Sequence, residues 1–177
     1  FLIYEYLSRG SLEGVLKNDE SSALFTWPLR LRCLRDVAVA LTFMHVGNKC
    51  FHRDVKAANI CLTATFSAKL IDCGLAQFIP EGDDRVSASK FTATGGVLGT
   101  PGYISPEYSR TGKFSGKADV YAFGMAVLEV ITGLLQNSPD DLFARFFEDE
   151  DEDDEVTKIA RAADARAGAA SPDLVTS

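Results

Sequence analysis

The segment 117–132, KADVYAFGMAVLEVIT, is apolar nearly all round. A helix without a polar face has to be buried on every side, so we expect this one at the centre of a domain. Gly133 follows the segment and suits a helix end, because glycine readily takes the left-handed conformation there. A chain of 177 residues, of which 46% are apolar, is long enough to enclose such a helix in one domain.

A second long helix is predicted between Pro28 and His45. Its residues recur at steps of three and four and would share one buried face: Leu31, Leu34, Ala38, Leu41 and His45. Proline suits a first helical turn, and Gly47 suits the end of the helix.

Shorter elements surround these two helices. Residues 1–7 (FLIYEYL) read as a strand, and Ser11 is a candidate cap for a short helix that ends at Lys17. Two more strands are predicted at 60–62 and 68–71, and loops at 18–27 and 81–102. We therefore expect a mainly α fold with short β-strands, of the α+β class.

Eight consecutive acids stand at 148–155 (EDEDEDDE) and account for the net charge of −7, since the rest of the chain has 18 basic against 25 − 8 = 17 acidic residues. Such a run repels itself and stays solvated. We expect a domain over 1–147, an acidic low-complexity loop over 148–155, and an alanine-rich, partly disordered segment over 156–177. No basic stripe interleaved with aromatic residues occurs, which argues against nucleic acid as a partner.

The sequence also carries information about the cellular compartment of the protein. No run of 18 apolar residues is present, so no membrane span is expected in this chain. The first ten residues lack the basic start of a signal peptide, and Phe1 in place of Met suggests a start inside a longer protein. The four cysteines form no C-x-x-C pair and only two histidines occur, which argues against zinc and for buried, reduced, intracellular thiols.

The residues suited to catalysis lie in short motifs. These are 52–59 (HRDVKAAN), 72–74 (DCG), 99–103 (GTPGY), 105–107 (SPE) and 117–124 (KADVYAFG). Phosphoryl transfer needs an oriented hydroxyl, neutralised phosphate charge and in-line geometry rather than covalent chemistry. A loop with one carboxylate, one ammonium and one amide supplies these needs, and 52–59 contains all three.

In this order and spacing the motifs resemble the catalytic loop, metal-binding motif, substrate-facing loop, activation-segment end and central helix of eukaryotic protein kinases. The resemblance covers residues 1–135 and concerns the C-terminal lobe of the kinase fold. Within that family the chain is most similar to the Pelle, interleukin-receptor-associated and plant receptor-like serine/threonine kinases. The segments LIYEYLSRGSLEGVL, HRDVKAANI and GTPGYISPEY carry this likeness.

The resemblance implies a role for each side chain of the candidate site. Asp54 would orient the substrate hydroxyl and accept its proton, and Lys56 would hold the transferring phosphate. Asn59 and Asp72 would bind Mg²⁺ through oxygen, the ligand atom that hard cations prefer. Thr100 would bond to Asp54 and Lys56. The expected cofactors are ATP and Mg²⁺.

The same loop bears on the substrate. Tyrosine kinases usually carry D-x-A-A-R-N where this chain has D-V-K-A-A-N. Lys56 and Thr100 together favour a serine or threonine hydroxyl of a protein as the phosphate acceptor.

Four residues are implied to contact the adenine of ATP. Tyr4 takes the gatekeeper position, and Glu5 and Leu7 would offer backbone groups. Cys61 stands where a leucine usually forms the floor beneath the ring, and it supplies a smaller apolar contact. The alternative is that residues 2–7 simply form a strand of the core, and both interpretations can hold together.

The activation loop is the expected place of regulation. Arg53 would meet a phosphate there, whereas His52 is expected to pack rather than act as a base. The candidate phosphorylation sites are Ser87, Ser89, Thr92 and Thr94. The alternative is that a polar loop simply carries hydroxyl groups.

Three departures from the kinase pattern stand out. Cys73 replaces the usual phenylalanine of D-F-G, which predicts a looser packing arrangement and altered regulation. Glu107 normally pairs with an arginine beyond the matched region, so we expect a buried carboxylate without its partner. No glycine-rich loop, V-A-I-K lysine or helix glutamate occurs, as expected where the N-terminal lobe is missing, and the fragment is expected to be inactive alone.

Two other functions remain open at this stage. A pseudokinase would bind partners without transferring phosphate, and the missing motifs and Cys73 allow it. An acidic interaction protein would use 148–155, although a solvated insertion explains that run as well. For a kinase we expect a cytoplasmic location and an upstream receptor or adaptor as partner, and other parts of the protein could be membrane-anchored.

Overall fold

The computed structural model describes residues 3–79, 91–92, 96–135 and 162–168. The α-helices in these ranges are α1 (Leu12–Lys17), α2 (Asp19–Leu24), α3 (Trp27–Thr42), α4 (Pro106–Thr111) and α5 (Gly116–Thr132). The strands are β1 (Cys50–Phe51), β2 (Ile60–Leu62), β3 (Ala68–Leu70), β4 (Gln77–Phe78), β5 (Phe91–Thr92) and β6 (Lys113–Phe114). A π-helical segment (Phe43–Gly47) continues α3, and single 3-10 turns lie at Ala57–Asn59, Cys73–Leu75 and Ala165–Ala167. The predicted mainly α fold with short strands is confirmed.

Helix α5 is the central element that the apolar segment predicts. Its residues Ala122, Met125 and Ala126 belong to the main core together with parts of α1, α3 and β2. Only a narrow stripe of the helix faces solvent, at Lys117, Val120 and Gly124. The helix ends at Gly133, which has a φ of +69° and lies so close to Asp164 that a Cβ atom there would overlap that side chain.

Helix α3 begins and ends close to the predicted bounds, and of its predicted core residues Leu41 and His45 are buried while Leu34 and Ala38 are half-buried. The residues turned inward are Trp27, Arg30, Cys33, Val37 and Leu41, whereas the predicted core residue Leu31 is 42% exposed. The face is shifted because Arg30 occupies a core position, where its charge is met by Asp164 at 2.7 Å. A charged residue in the core is invisible to a search for apolar periodicity.

The segment 18–27, predicted as a loop, instead contains α2 and the start of α3. Asn18 caps α2, since its Oδ1 accepts a hydrogen bond from Ser21 N, and acids at 19 and 20 favour the first turn. Helix α1 is capped by Ser11 as predicted, through Oγ and Gly14 N.

The described strands form three two-stranded antiparallel sheets, β1–β4, β2–β3 and β5–β6. The β2–β3 hairpin matches the prediction, with Ile60 opposite Leu70. The strand predicted at 1–7 is wrong for its described part, because residues 3–7 form no regular structure. A strand needs a partner for its backbone groups, and no described strand pairs with this segment.

Residues 162–168 pack onto the end of α5 and onto α1–α3. Arg166 donates to Leu16 O and Gly133 O, and Trp27 Nε1 donates to Gly168 O at 2.9 Å. The rest of the expected segment 156–177, the acidic run 148–155 and most of the expected loop 81–102 lie outside the described residues. Within the described ranges, no helix combines the length and apolar content that crossing a membrane requires.

Candidate active site

The loop that carries the candidate catalytic residues is fixed to α5 by Asp119. The carboxylate of Asp119 accepts hydrogen bonds from His52 N at 2.9 Å and Arg53 N at 2.8 Å. The Nε2 atom of His45, in the π-helical segment, lies 2.8 Å from the same carboxylate. These bonds hold Arg53 at a φ of +72°, a costly conformation for a residue with a side chain. No role was predicted for Asp119, although an acid inside an apolar helix is a signal that can be read from the sequence.

His52 joins the loop to the strand that precedes Asp72. The side chain is fully buried, its Nδ1 accepts from Asp54 N, and its Nε2 therefore carries the proton and donates to Ile71 O at 3.1 Å. Burial lowers the pKa of His52, and neighbouring acids only partly oppose this. The imidazole is thus neutral near pH 7 and has both nitrogens engaged, which suits packing rather than proton transfer.

Asp54, Lys56 and Thr100 form one hydrogen-bonded cluster. Thr100 Oγ1 donates to Asp54 Oδ1 at 2.7 Å, and Lys56 Nζ donates to Thr100 Oγ1 at 2.7 Å. Lys56 Nζ also forms an ion pair with Asp54 Oδ2 at 2.8 Å. A carboxylate, an ammonium and a hydroxyl therefore meet at one point, although Thr100 comes 46 positions after Asp54.

The charge of Asp54 is stabilised by its neighbours. Burial alone would raise its pKa, but hydrogen bonds from Lys56, Thr100 and Asn59, together with the charge of Lys56, lower the pKa overall. Asp54 is therefore anionic at neutral pH and has a fixed orientation.

Asn59 belongs to the same cluster. Its Nδ2 donates to Asp54 O at 2.8 Å and to Asp54 Oδ2 at 2.9 Å, which uses both amide hydrogens. The amide oxygen is left to act as an acceptor or a metal ligand. The backbone oxygen of Asn59 accepts a hydrogen bond from Ile71 N at 2.9 Å. Ile71 directly precedes Asp72, so this bond ties the chain beside Asp72 to Asn59.

Asp72 lies at the start of the turn Cys73–Leu75. It has a left-handed φ of +63°, and its Oδ1 accepts from Gly74 N at 3.2 Å. Its side chain is exposed. The described residues contain no group of three or more His, Cys, Asp or Glu side chains arranged to hold a metal.

Arg53 reaches away from this cluster, toward the segment expected to regulate the site. Its Nη1 donates to Gln77 Oε1 at 2.9 Å, and its guanidinium lies 5.4 Å from the centre of the Phe114 ring. Within the described ranges, no carboxylate lies at ion-pair distance, and its buried Nε has no hydrogen-bond partner. Of the candidate phosphorylation sites, Ser87, Ser89 and Thr94 lie outside the described residues, and Thr92 lies in β5.

The four candidate adenine contacts are not joined to the Asp54 cluster. Tyr4 is 79% exposed, and Glu5 is exposed and pairs with Lys69 at 2.7 Å. Leu7 is half-buried, with its carbonyl oxygen bonded to Gly10 N. Cys61 is half-buried in β2, where burial raises the pKa of its thiol. Their predicted role stays a prediction.

One expectation drawn from the departures is corrected. Glu107 is exposed, so no carboxylate is buried there, because its position in the first turn of α4 faces solvent. Cys73 is exposed, like Asp72 before it, and therefore packs into no core. Of the four cysteines only Cys33 and Cys50 are buried.

A groove beside the cluster is lined by residues from several elements: Glu13, Lys56, Ala58, Thr100, Tyr103, Glu129 and Leu135. Tyr103 donates its hydroxyl to Glu129 at 2.6 Å, and burial beside this carboxylate raises the pKa of Tyr103. Lys56 and Thr100 of the cluster are therefore among the residues that line this groove.

Asp54, Lys56 and Asn59 lie on one loop that is fixed to the central helix, and both Asp54 and Lys56 are bonded to Thr100. This is the arrangement of a protein phosphotransferase. Residues 1–166 match the family described as the protein kinase domain, so the chain belongs to that family.

The chain is similar to several plant kinases. The chain is 42% identical over 137 residues to the probable serine/threonine-protein kinase PBL28 of Arabidopsis thaliana, a match that covers 75% of this chain and 35% of that protein. It is 39% identical to cysteine-rich receptor-like protein kinase 46 of the same plant, over 77% of this chain and 22% of the relative. It is 44% identical to the EPD1-interacting receptor-like cytoplasmic serine/threonine-protein kinase of Nicotiana benthamiana, over 75% of this chain and 27% of that protein. The chain thus spans about a third or less of the length of these relatives.

Proposed function

We propose that this chain is the larger lobe of a serine/threonine kinase that transfers the γ-phosphate of ATP to a protein hydroxyl with the help of Mg²⁺. The contact of Asp54 with both Lys56 and Thr100 is the observation that carries the proposal. By likeness to its relatives, the protein would act in the cytoplasm, downstream of a receptor or adaptor.

Asp54 would orient the acceptor hydroxyl. Its lowered pKa makes it a weak base, so its main work before transfer is to accept a hydrogen bond and fix the direction of attack. The proton passes to it as the new P–O bond forms. Lys56, held by Thr100, would place its positive charge against the moving phosphate.

Asn59 and Asp72 fit a magnesium site. Both hydrogens of the Asn59 amide are bonded to Asp54, which leaves its oxygen available, and the Asp72 carboxylate is exposed. These are the oxygen ligands that Mg²⁺ accepts, usually alongside substrate phosphates. Bound Mg²⁺ would neutralise phosphate charge, and ATP would extend toward Tyr4, Glu5, Leu7 and Cys61.

Arg53 would receive a phosphate placed on the activation loop, at one of Ser87, Ser89, Thr92 or Thr94. The buried Nε of its guanidinium, which has no hydrogen-bond partner among the described residues, supports this role. Such an ion pair would order the loop next to Thr100.

A pseudokinase is the second candidate, and the exposed Cys73 favours it. A phenylalanine there would supply packing that a cysteine facing solvent lacks. In that case the fold would bind partners and transfer no phosphate.

The test is transfer of labelled γ-phosphate from ATP by the full-length protein in the presence of Mg²⁺. Asp54→Asn should lower the rate by about two to four orders of magnitude. Glu20→Gln, which removes an exposed acid on α2, is the control and should leave the rate unchanged. Equal labelling by wild type and Asp54→Asn would exclude the proposed role, and no labelling by wild type would favour the pseudokinase.

A further inference from the structure

We propose that Tyr108 is a positioning residue of this site, whose hydroxyl ties the catalytic loop to the segment that carries Thr100. This inference rests on the proposed kinase function. Neither the motif pattern nor the cluster around Asp54 gives this tyrosine a role.

The hydroxyl of Tyr108 lies between two segments that are far apart in sequence. It accepts a hydrogen bond from Leu98 N at 2.9 Å and a longer one from Arg53 Nη2 at 3.4 Å. Arg53 directly precedes Asp54, and Leu98 stands two positions before Thr100. One oxygen atom therefore joins the neighbours of both catalytic partners.

The ring that presents this hydroxyl is fixed in place. Tyr108 is 2% exposed and packs edge-on against Phe114, with ring centres 5.0 Å apart at 86°. Phe114 also lies beneath the guanidinium of Arg53. The aromatic contacts set the position of the ring, so loss of the hydroxyl alone should leave the packing intact.

The position of Leu98 is transmitted to Thr100 through Gly99. This glycine has a φ of +134°, and a Cβ atom there would lie 3.5 Å from Arg53 O and 3.4 Å from Ile104 Cγ1. Gly99 therefore lies beside the backbone of Arg53, next to the Thr100–Asp54 bond. Freeing Leu98 would loosen Thr100, and with it the orientation of Asp54 and Lys56.

This role predicts a specific kinetic effect. Tyr108→Phe keeps the ring and removes only the hydroxyl. Because the two hydrogen bonds that this hydroxyl accepts are lost from an orienting network, kcat should fall about twofold to tenfold. The KM for ATP should stay unchanged, since Tyr108 touches none of the proposed nucleotide residues. The unfolding temperature should stay close to that of wild type.

The experiment measures phosphate transfer by the full-length protein, wild type and Tyr108→Phe, together with thermal unfolding and hydrogen exchange at Leu98. Thr42→Val removes a hydroxyl that bonds only to Ala38 O on α3, and it should change none of these. Exchange of the Leu98 amide should be slow in wild type and faster in Tyr108→Phe.

An unchanged kcat in Tyr108→Phe, or a fall fully matched by lost stability, would overturn the inference. Fast exchange of the Leu98 amide in wild type would also overturn it. If wild type transfers no phosphate, the proposed kinase function fails, and the exchange measurement still tests whether the bridge exists.

Discussion

Arg30 and Asp164 form an ion pair of 2.7 Å inside the domain, although 134 positions separate them in the chain. Their side chains are 0% and 5% exposed. Arg30 also donates to Phe25 O at 2.8 Å and to Ser22 Oγ at 3.0 Å, while Asp164 accepts from Arg166 Nε at 2.8 Å. The desolvation of both charges is therefore offset by several further hydrogen bonds, which is the condition under which a buried pair is tolerated.

Removing one member of this pair should be strongly destabilising. Asp164→Ala leaves the Arg30 guanidinium buried without its anion, and we expect a loss of about 3–5 kcal/mol in the free energy of unfolding. Urea unfolding measures this through the fluorescence of Trp27, the only tryptophan of the chain. Lys17→Ala breaks the exposed pair with Glu13 and should cost at most about 0.5 kcal/mol. Similar losses for the two variants would show that the Arg30 pair contributes little.

The same pair should make stability depend on pH in the acid range. Burial acts to raise the pKa of Asp164, but hydrogen bonds from Arg166 and Arg30 lower it to about 2. The pKa of an aspartate in an unfolded chain is about 3.9, so the pKa of Asp164 is lower in the folded state than in the unfolded state. The contribution of Asp164 is then fully present above about pH 4 and is lost as the pH falls toward 2.

The measurement is the difference in unfolding free energy between wild type and Asp164→Asn from pH 6 to pH 2. The variant has no charge to titrate at this position. We expect the difference to be constant above about pH 4 and to shrink below it. A difference that stays constant down to pH 2 would contradict the assignment.

The sequence was sufficient for elements whose pattern is local. Helix α5 follows from its continuous apolar run, and the β2–β3 hairpin from two short apolar runs across a polar turn. Ser11 was recognised as a cap because its partner, Gly14, lies three residues away. The cap at Asn18 was just as local, and the prediction of a loop over 18–27 overlooked it.

Contacts between residues that are far apart in the sequence could not be predicted from such local patterns. The buried face of α3 depends on Asp164, and the role of Tyr108 depends on Leu98 and Arg53 lying on either side of it. At residues 3–7 the error is the opposite one, because a strand was predicted where the structure has none. They have the composition of a strand, but a strand forms only where another pairs with it. The motif spacing indicated which residues carry the chemistry, whereas the side chains that hold them in place required coordinates.

The decisive measurement is a structure of the full-length protein with Mg²⁺ and a non-hydrolysable ATP analogue, because it shows whether Asn59, Asp72 and Lys56 meet at one nucleotide–magnesium site. The account predicts one Mg²⁺ with Asn59 Oδ1 and a carboxylate oxygen of Asp72 among its ligands, each at about 2.0–2.1 Å, beside the phosphates. It also predicts that Lys56 Nζ contacts the terminal phosphate. A metal bound elsewhere, or Asp72 turned away from Asn59 with nucleotide present, would contradict it.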